Sequence, residues 1–318
     1  MKSHGSRQVL LFAVAALAGC AKPSKMDLAS NPSRTQVLAG GCPEGFAPKA
    51  GLNTGFVSEG KGRNFHVLLP ADLSTPRPVF VALTGTVQPE PSFLKQSGLD
   101  QLPAQGWIVI APVRRCSQNG TNCSTGPGDD GRAWEPWFDA TLGQPTDDAG
   151  PDVRFVDAIV RCAAKAWPVD GNRVYNGGIS AGGTFPYRLL SFKSDLFAGG
   201  VPASGTWYSG RSVPASPTVM SPSIVILLWG GATDIWPLKN PLVTYGPETK
   251  QASRWFAAQP NVVTVSCSGV QGHSWPPAMT SWIAQTLLSH PKGTPKSRFA
   301  LTTPPAGLTC VLGEYTDH

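Results

Sequence analysis

Short apolar runs alternate with amphipathic segments along most of the chain. Several runs are apolar on both faces, which is typical of strands buried between two layers of helices. The segment 152–167 instead places Val156, Ile159, Val160 and Ala163 on one helical stripe. This alternation predicts an α/β fold with a mainly parallel sheet flanked by helices. The predicted strands are 65–70, 78–84, 107–113, 173–178, 199–205, 223–230 and 261–267, and the predicted helices are 152–167, 181–192, 248–259 and 277–290.

The segment that precedes this pattern predicts export. Lys2 and Arg7 come before an apolar run that suits a secretory signal and is too short to span a bilayer. The run ends in LAGC, which resembles a bacterial lipobox, so Cys20 is the predicted lipidation site; a plain signal peptide cleaved nearby is the alternative. We expect a lipid-anchored protein of the bacterial cell envelope, on the outer membrane or periplasmic face, with a released form as an alternative. The predicted parts are a signal peptide (1–19), a lipidated N-terminus and tether (20–41) and one domain (42–318).

The composition limits the classes of binding partner that we expect. Charged residues make up only 14% of the chain, and the formal net charge is +6. No cluster of Lys and Arg occurs along the sequence, so nucleic acid is not an expected partner. A membrane is expected to be contacted only through the N-terminal lipid. Gly, Pro and Trp are frequent, and residues 114–150 are rich in Gly, Asp, Pro and Trp without periodicity. So long an insertion in a compact domain is usually a functional loop or lid.

The cysteines other than Cys20 are even in number, which predicts disulfides in an exported chain. The connectivity stays open at this point, with Cys116 and Cys123 favoured as a pair because they lie close together in one Gly- and Asn-rich loop. Zinc is less favoured, because no Cys-x-x-Cys or nearby histidine accompanies them. The candidates are Cys42, Cys116, Cys123, Cys162, Cys267 and Cys310.

One serine has the context of a nucleophile. Ser180 lies in a Gly-x-Ser-x-Gly match between Gly178 and Gly182. Such a match arises readily by chance in a chain with 35 glycines, so it needs a strand before it and a helix after it to carry meaning. The predicted strand 173–178 and helix 181–192 supply that context. Small neighbours also permit the sharp turn that exposes a nucleophilic hydroxyl.

A serine hydroxyl is a weak nucleophile that requires a general base and a carboxylate to orient the base. His273, between the last predicted strand and the last predicted helix, is the predicted base. Asp234 is the predicted carboxylate because it follows a strand at the carboxyl edge of the sheet, whereas Asp195 and Glu248 do not. The remaining histidines are His4 in the leader, His66 in an early predicted strand, His290 at the end of the last predicted helix and His318 at the terminus.

An acyl-transfer site also needs backbone N–H groups that stabilise a tetrahedral oxyanion. Ala181, which follows the nucleophile, is one predicted donor. The second is predicted in the loop after the strand 78–84, from Gly85 or Thr86.

Several motifs, taken in order, resemble the poly(3-hydroxybutyrate) depolymerase and feruloyl/acetylxylan esterase group of α/β-hydrolases. The resemblance covers roughly residues 60–290 and implies an α/β-hydrolase fold and serine esterase chemistry with Ser180, Asp234 and His273, without a metal or cofactor. The chain departs from the group at Thr84-Gly85, where the group usually has His-Gly. The motifs are PDVRFVDAIV, DGNRVYNGGISAGG, SDLFAGGVPASG, WGGATD and QGHSWP, together with the tryptophan-bearing loop AWEPWF.

Tryptophans in the loops near the predicted site are candidates for substrate contact. Aromatic platforms suit sugar faces, feruloyl rings and polyester chains alike, although each ring could equally pack a loop onto the core. The expected partner is an ester: a hydroxyalkanoate oligomer, an acylated polysaccharide or a small ester. A serine peptidase on the same fold and a non-catalytic surface binding protein are the alternatives. The predicted substrate-binding residues are Trp134, Trp137, Trp236 and Trp275.

Overall fold

The apolar runs fold as a mostly parallel sheet between two layers of helices in the computed structural model. The structure describes residues 38, 40–86, 88–114, 134, 150–207, 223–236 and 243–315. All of them lie in one compact unit, residues 35–318. None of the helices in these ranges is both long enough and apolar enough to cross a membrane.

Nine of the strands form one sheet in the order β1-β2-β4-β3-β5-β6-β7-β10-β11. The six central strands, from β4 to β10, are parallel, and antiparallel strands lie at both edges. β8 and β9 form a separate antiparallel pair. The strands are β1 (Gly51–Ser58), β2 (Lys61–Leu68), β3 (Arg77–Leu83), β4 (Ile108–Pro112), β5 (Val169–Ile179), β6 (Gly199–Ala203), β7 (Ser223–Trp229), β8 (Ile235–Trp236), β9 (Val243–Thr244), β10 (Val262–Gly269) and β11 (Leu308–Leu312).

The helices cover both faces of the sheet because its central strands are apolar on both sides. On β3, Val79, Val81 and Leu83 face one helix layer, and Phe80 and Ala82 face the other. The first layer contains α2, α3 and α4, and the second contains α1 and α5. The helices are α1 (Glu90–Ser97), α2 (Pro151–Ala166), α3 (Ala181–Phe192), α4 (Tyr245–Ala257) and α5 (Pro277–Leu288), with short 3-10 helices at Leu99–Gln105 and Lys296–Arg298.

The α/β architecture predicted from periodicity is confirmed, and each predicted strand and helix matches an observed one to within a few residues. β1, β8, β9, β11 and α1 are not among the predicted elements. A register shift between Asn53 and Phe56 interrupts the alternation of buried and exposed side chains in β1. α1 is short and begins with proline in its first turn, so it carries little periodicity. Pro186 lies inside α3, beyond its first turn.

Two disulfides are present among the described residues. Cys42–Cys162 ties the segment before β1 to α2, and Cys267–Cys310 joins directly opposed residues of β10 and β11. The favoured pair Cys116–Cys123, like Cys20 and the signal peptide, lies outside the described residues, and so does most of the 114–150 insertion. Each observed bridge closes a long loop, a geometry for which stabilisation by about 2–4 kcal/mol is typical.

A buried ion pair joins the antiparallel edge of the sheet to the first turn of α2. Arg63 on β2 donates to Asp152 at 2.6 Å, and the two side chains are 5% and 0% exposed. The guanidinium also lies over the ring of Phe155, 4.0 Å from its centroid. A pair this deep is destabilising when broken, because the remaining charge stays in a medium that solvates it poorly.

We expect Arg63→Met to lower the free energy of unfolding by about 3–5 kcal/mol, because the variant keeps the aliphatic stem and leaves Asp152 without this partner. Arg254→Met is the matched control, since Arg254 and Glu314 form an exposed pair whose loss costs less than about 1 kcal/mol. Urea unfolding of both variants measures the difference. Equal losses would show that burial does not set the strength of the Arg63 pair.

One histidine near the C-terminal end of the domain is fully buried. His290, just after α5, is 0% exposed, and its ring nitrogens have no hydrogen-bond partner among the described residues. Its ring packs edge-on against Phe299, with centroids 5.8 Å apart. Burial lowers the pKa of His290 to about 4, because the apolar surroundings disfavour the protonated ring.

This burial predicts a pH-dependent stability. An unfolded histidine takes up a proton below about pH 6.5, whereas folded His290 does so only near about pH 4, so the free energy of unfolding falls as the pH drops between these values. Between pH 7 and pH 5 the contribution is about 2 kcal/mol. We expect His290→Leu to remove it, which urea unfolding at both pH values measures. The packing cost of the substitution is common to both values, so unchanged pH dependence would contradict the prediction.

Candidate active site

The strand–turn–helix context predicted for Ser180 is present. Ser180 connects β5 to α3 with φ 59° and ψ −122°, a conformation that is strained for any residue except glycine. A methyl group on Gly178 or Gly182 would overlap the carbonyl oxygen of Leu83 on the adjacent strand β3. The glycines of the motif are therefore required by the close approach of β3, and that approach fixes the turn that carries the serine.

The predicted base and carboxylate lie together. His273 Nδ1 is 2.8 Å from Asp234 Oδ1, although 39 residues separate them in the chain. Asp234 is 1% exposed, in the turn after β7, and His273 follows β10, which is the next parallel strand. With the proton on Nδ1, the imidazole donates to the carboxylate and leaves Nε2 able to accept a proton. This is the orientation that a general base requires.

The rejected carboxylates have other partners. Asp195 is largely exposed and lies 3.5 Å from the guanidinium of Arg161. Glu248, in the first turn of α4, accepts the backbone N–H of Trp207 at 2.8 Å. Burial raises the pKa of the Glu248 carboxyl, and the Trp207 hydrogen bond partly offsets this.

A serine that the sequence analysis did not identify holds the second oxygen of the carboxylate. Asp234 Oδ2 accepts a hydrogen bond from the hydroxyl of Ser204 at 2.7 Å and from the N–H of Gly230 at 2.8 Å. Ser204 directly follows β6, is 2% exposed and has φ 45°. Two donors on Oδ2 stabilise the charge of the buried carboxylate and fix the plane in which Oδ1 meets His273.

Aromatic rings lie against the imidazole. The ring of Tyr245 stacks on His273 at 4.6 Å and 17°, and the ring of Trp236 lies tilted at 5.7 Å. The pairing of β8 with β9 brings both rings to the turn that follows Asp234. Trp236, one of the predicted substrate-binding residues, is therefore at the site, whereas Trp137 lies outside the described residues. Tyr245 carried no signal in the sequence, because its contact depends on this short pairing.

The burial of Trp134 and Trp275 contradicts their prediction as substrate-binding residues. Trp134 is 0% exposed, donates to the carbonyl of Thr84 at 3.1 Å and stacks on Phe185 at 5.2 Å. Trp275 is 4% exposed and donates to the hydroxyl of Thr280 at 2.9 Å. Both indoles are packed in the core and present almost no surface to a substrate.

One hydrogen bond reduces the number of backbone N–H groups that can serve as the predicted oxyanion donors. The N–H of Gly85 donates to the side-chain oxygen of Gln88 at 3.2 Å, so it is engaged inside its own turn. A Cβ on Gly85 would lie 3.3 Å from Ser180 Cβ, which places this turn beside the nucleophile. Thr86 and Ala181 remain the candidate pair of donors. Ala181 begins α3, where backbone N–H groups lack partners within the helix.

No group of three or more His, Cys, Asp or Glu side chains within the described ranges is placed to hold a metal ion. The chemistry that the described side chains do support is nucleophilic: a serine on a strained turn and a carboxylate-oriented imidazole. Fold and site together define a serine hydrolase of the α/β-hydrolase class, a carboxylic ester hydrolase.

Comparison with known proteins places the chain within this class. It is 39% identical to an oxidized polyvinyl alcohol hydrolase of Sphingopyxis sp. (strain 113P3), over 100% of this chain and 98% of that protein. It also matches the crystal structure of native sOPH (TM-score 0.80, 39% identity, 88% of this chain and 99% of that one). A serine-to-alanine variant of pOPH in complex with pNPB matches at TM-score 0.77 and 35% identity, over 87% and 97% of the two chains. No family model matches the chain. The chain belongs to the family of the oxidized polyvinyl alcohol hydrolases.

We expect Ser204→Ala to lower kcat roughly 10- to 100-fold with little change in KM, because a charge-assisted hydrogen bond to the carboxylate is lost. Steady-state ester hydrolysis and thermal unfolding of the variant measure activity and stability separately. Ser281→Ala is the control, an exposed serine on α5 that loses the same hydroxyl. If both variants keep the wild-type kcat, Ser204 does not orient Asp234.

Proposed function

We propose that Ser180, His273 and Asp234 form a catalytic triad that cleaves carbonyl substrates through an acyl-enzyme. The hydrogen bond between His273 and Asp234 is the observation that carries the proposal, because it orients the imidazole as the general base of a serine triad requires. The strained turn at Ser180 supports it, since backbone strain of this kind concentrates at functional positions.

In the proposed reaction, Ser180 Oγ forms a bond to the substrate carbonyl carbon while its proton passes to His273 Nε2. The N–H groups of Ala181 and Thr86 stabilise the oxyanion of the tetrahedral intermediate. The bond to the leaving group then breaks, and His273 returns the proton to that group. A water molecule then attacks the acyl-enzyme while its proton passes to His273. The bond to Ser180 Oγ breaks, His273 returns the proton to that oxygen, and a carboxylic acid is released.

The family suggests a substrate beyond simple esters. Polyvinyl alcohol carries hydroxyl groups on alternate carbons, so its oxidation can leave two carbonyls separated by one CH2 group. Attack of Ser180 on one carbonyl would expel the CH2 carbon as an enolate that the second carbonyl stabilises. His273 would protonate that carbon, giving a methyl ketone and an acyl-enzyme. We infer that the same triad acts on esters and on such 1,3-diketones.

Other substrates remain part of the proposal. The resemblance to poly(3-hydroxybutyrate) depolymerases and feruloyl/acetylxylan esterases favours hydroxyalkanoate oligomers or acylated polysaccharides. We also propose export and lipid anchoring at Cys20, which would place the enzyme where a polymer too large to enter the cell can reach it. Nothing among the described residues favours the alternative of a peptidase on the same fold, and matched ester and anilide substrates test it.

We expect Ser180→Ala to abolish ester hydrolysis and fluorophosphonate labelling while the thermal unfolding temperature changes little. The assay compares p-nitrophenyl esters of increasing chain length, methyl ferulate, acetylated xylan, hydroxybutyrate oligomers and a linear 1,3-diketone. A 1,4-diketone of the same length is the control, because its cleavage would expel a carbanion that the second carbonyl does not stabilise. Near-normal rates in the variant would refute the triad, and a wild type that leaves the 1,3-diketone intact would refute the carbon–carbon cleavage alone.

A further inference from the structure

A single glutamine side chain holds the turn beside the nucleophile. We call Gly85, Thr86 and Gln88 the oxyanion turn. The N–H of Gln88 donates to the carbonyl of Gly85 at 3.2 Å, and the side-chain Oε1 of Gln88 accepts the N–H of Gly85, also at 3.2 Å. The turn is thus closed by two hydrogen bonds between the same two residues.

The other polar groups of Gln88 are tied to the scaffold. Its Nε2 donates to Oε1 of Gln96 on α1 at 3.2 Å, and its carbonyl accepts Nη2 of Arg114 at 3.1 Å. Arg114, two residues after β4, is 3% exposed, and Glu90, which is 8% exposed, interacts with it as an opposite charge. Burial raises the pKa of the Glu90 carboxyl, and the charge of Arg114 opposes that rise. Gln88 is therefore held from the segment after β4, from α1 and from the turn itself.

This arrangement decides which N–H can meet a substrate. An oxyanion hole stabilises the developing charge only if its donors are already oriented and do not exchange partners during the reaction. Gly85 N–H already has an acceptor in Gln88, so using it would require breaking that bond in each turnover. Thr86 is half-buried in the same turn, which packs against Ser180 through Gly85.

We propose that Gln88 is a positioning residue that locks the oxyanion turn and so assigns Thr86, rather than Gly85, as the second oxyanion donor. This inference rests on the proposed acyl-transfer function and extends it. Gln88 acts through the turn and does not itself donate to the oxyanion. A neutral acceptor is required at this position, because a negative charge beside the hole would repel the anionic intermediate.

Gln88→Glu tests the charge requirement with little change in shape. The carboxylate still accepts the Gly85 N–H, but it places a negative charge beside the developing oxyanion. We expect kcat to fall roughly 10- to 100-fold with KM changed less than about threefold. The affinity of a boronic acid inhibitor, which binds Ser180 as a tetrahedral anion, should fall by a similar factor. Gln101→Glu is the control, since it makes the same chemical change at an exposed position of the 3-10 helix Leu99–Gln105, outside the contacts that hold Gln88, and we expect kcat within about twofold of wild type.

Gln88→Met tests the locking role if the glutamate variant does not fold. Methionine has a similar volume but cannot accept the Gly85 N–H well, so the turn loosens while the packing is kept. We expect kcat and boronic acid affinity to fall together by roughly tenfold with a small change in thermal unfolding temperature. Unchanged kcat and inhibitor affinity in either folded variant would overturn the proposal. The triad itself is judged separately, from fluorophosphonate labelling of the wild type and from Ser180→Ala.

Discussion

The close approach of the Leu83 carbonyl to the glycines around Ser180 is the constraint on which the site depends. β3 lies directly against the turn between β5 and α3, so neither Gly178 nor Gly182 could carry a side chain there. Two consequences follow from this contact. It holds Ser180 at a positive φ, and it brings Gly85, which lies just beyond the end of β3, against the nucleophile. The nucleophile and the oxyanion turn are therefore positioned by one packing event between neighbouring strands.

Backbone hydrogen bonds link the site residues across the carboxyl ends of neighbouring strands. The N–H of Ser180 donates to Ala203 at the end of β6 at 3.0 Å, and the N–H of Ser204 donates to Leu228 on β7 at 2.9 Å. The hydroxyl of Ser204 then donates to Asp234, which binds His273. Ser180 and Ser204, which end adjacent strands, both have a positive φ that a serine rarely adopts. Strain at these two positions is sustained because each backbone N–H is fixed by the next strand of the sheet.

The sequence predicts the fold well, and the predicted base and carboxylate are in contact, for physical reasons. Periodicity reports which faces are buried, and the order of serine, aspartate and histidine limits the choice among few histidines. Side-chain surroundings are less predictable. Trp275 is only two residues from His273, yet its ring is buried, because chain proximity does not determine which way an indole packs. Ser204, Tyr245 and Gln88 escaped prediction because their contacts depend on backbone angles and on pairings between distant segments, which leave no periodic signal.

The surroundings of His273 bear on how one site could serve both ester and carbon leaving groups. In the proposed mechanism the imidazole becomes a cation while the tetrahedral intermediate exists. The stacked face of Tyr245 carries the negative side of its ring quadrupole, which attracts such a cation, and Asp234 stabilises it from the other nitrogen. An alkoxide is protonated at its oxygen alone, whereas an enolate shares its charge between oxygen and carbon and gives the methyl ketone directly only when the carbon receives the proton. Asp234 holds the imidazole at one nitrogen, and the stacked ring of Tyr245 lies against its plane. Together they keep Nε2 in a defined direction, which suits protonation of the enolate at carbon.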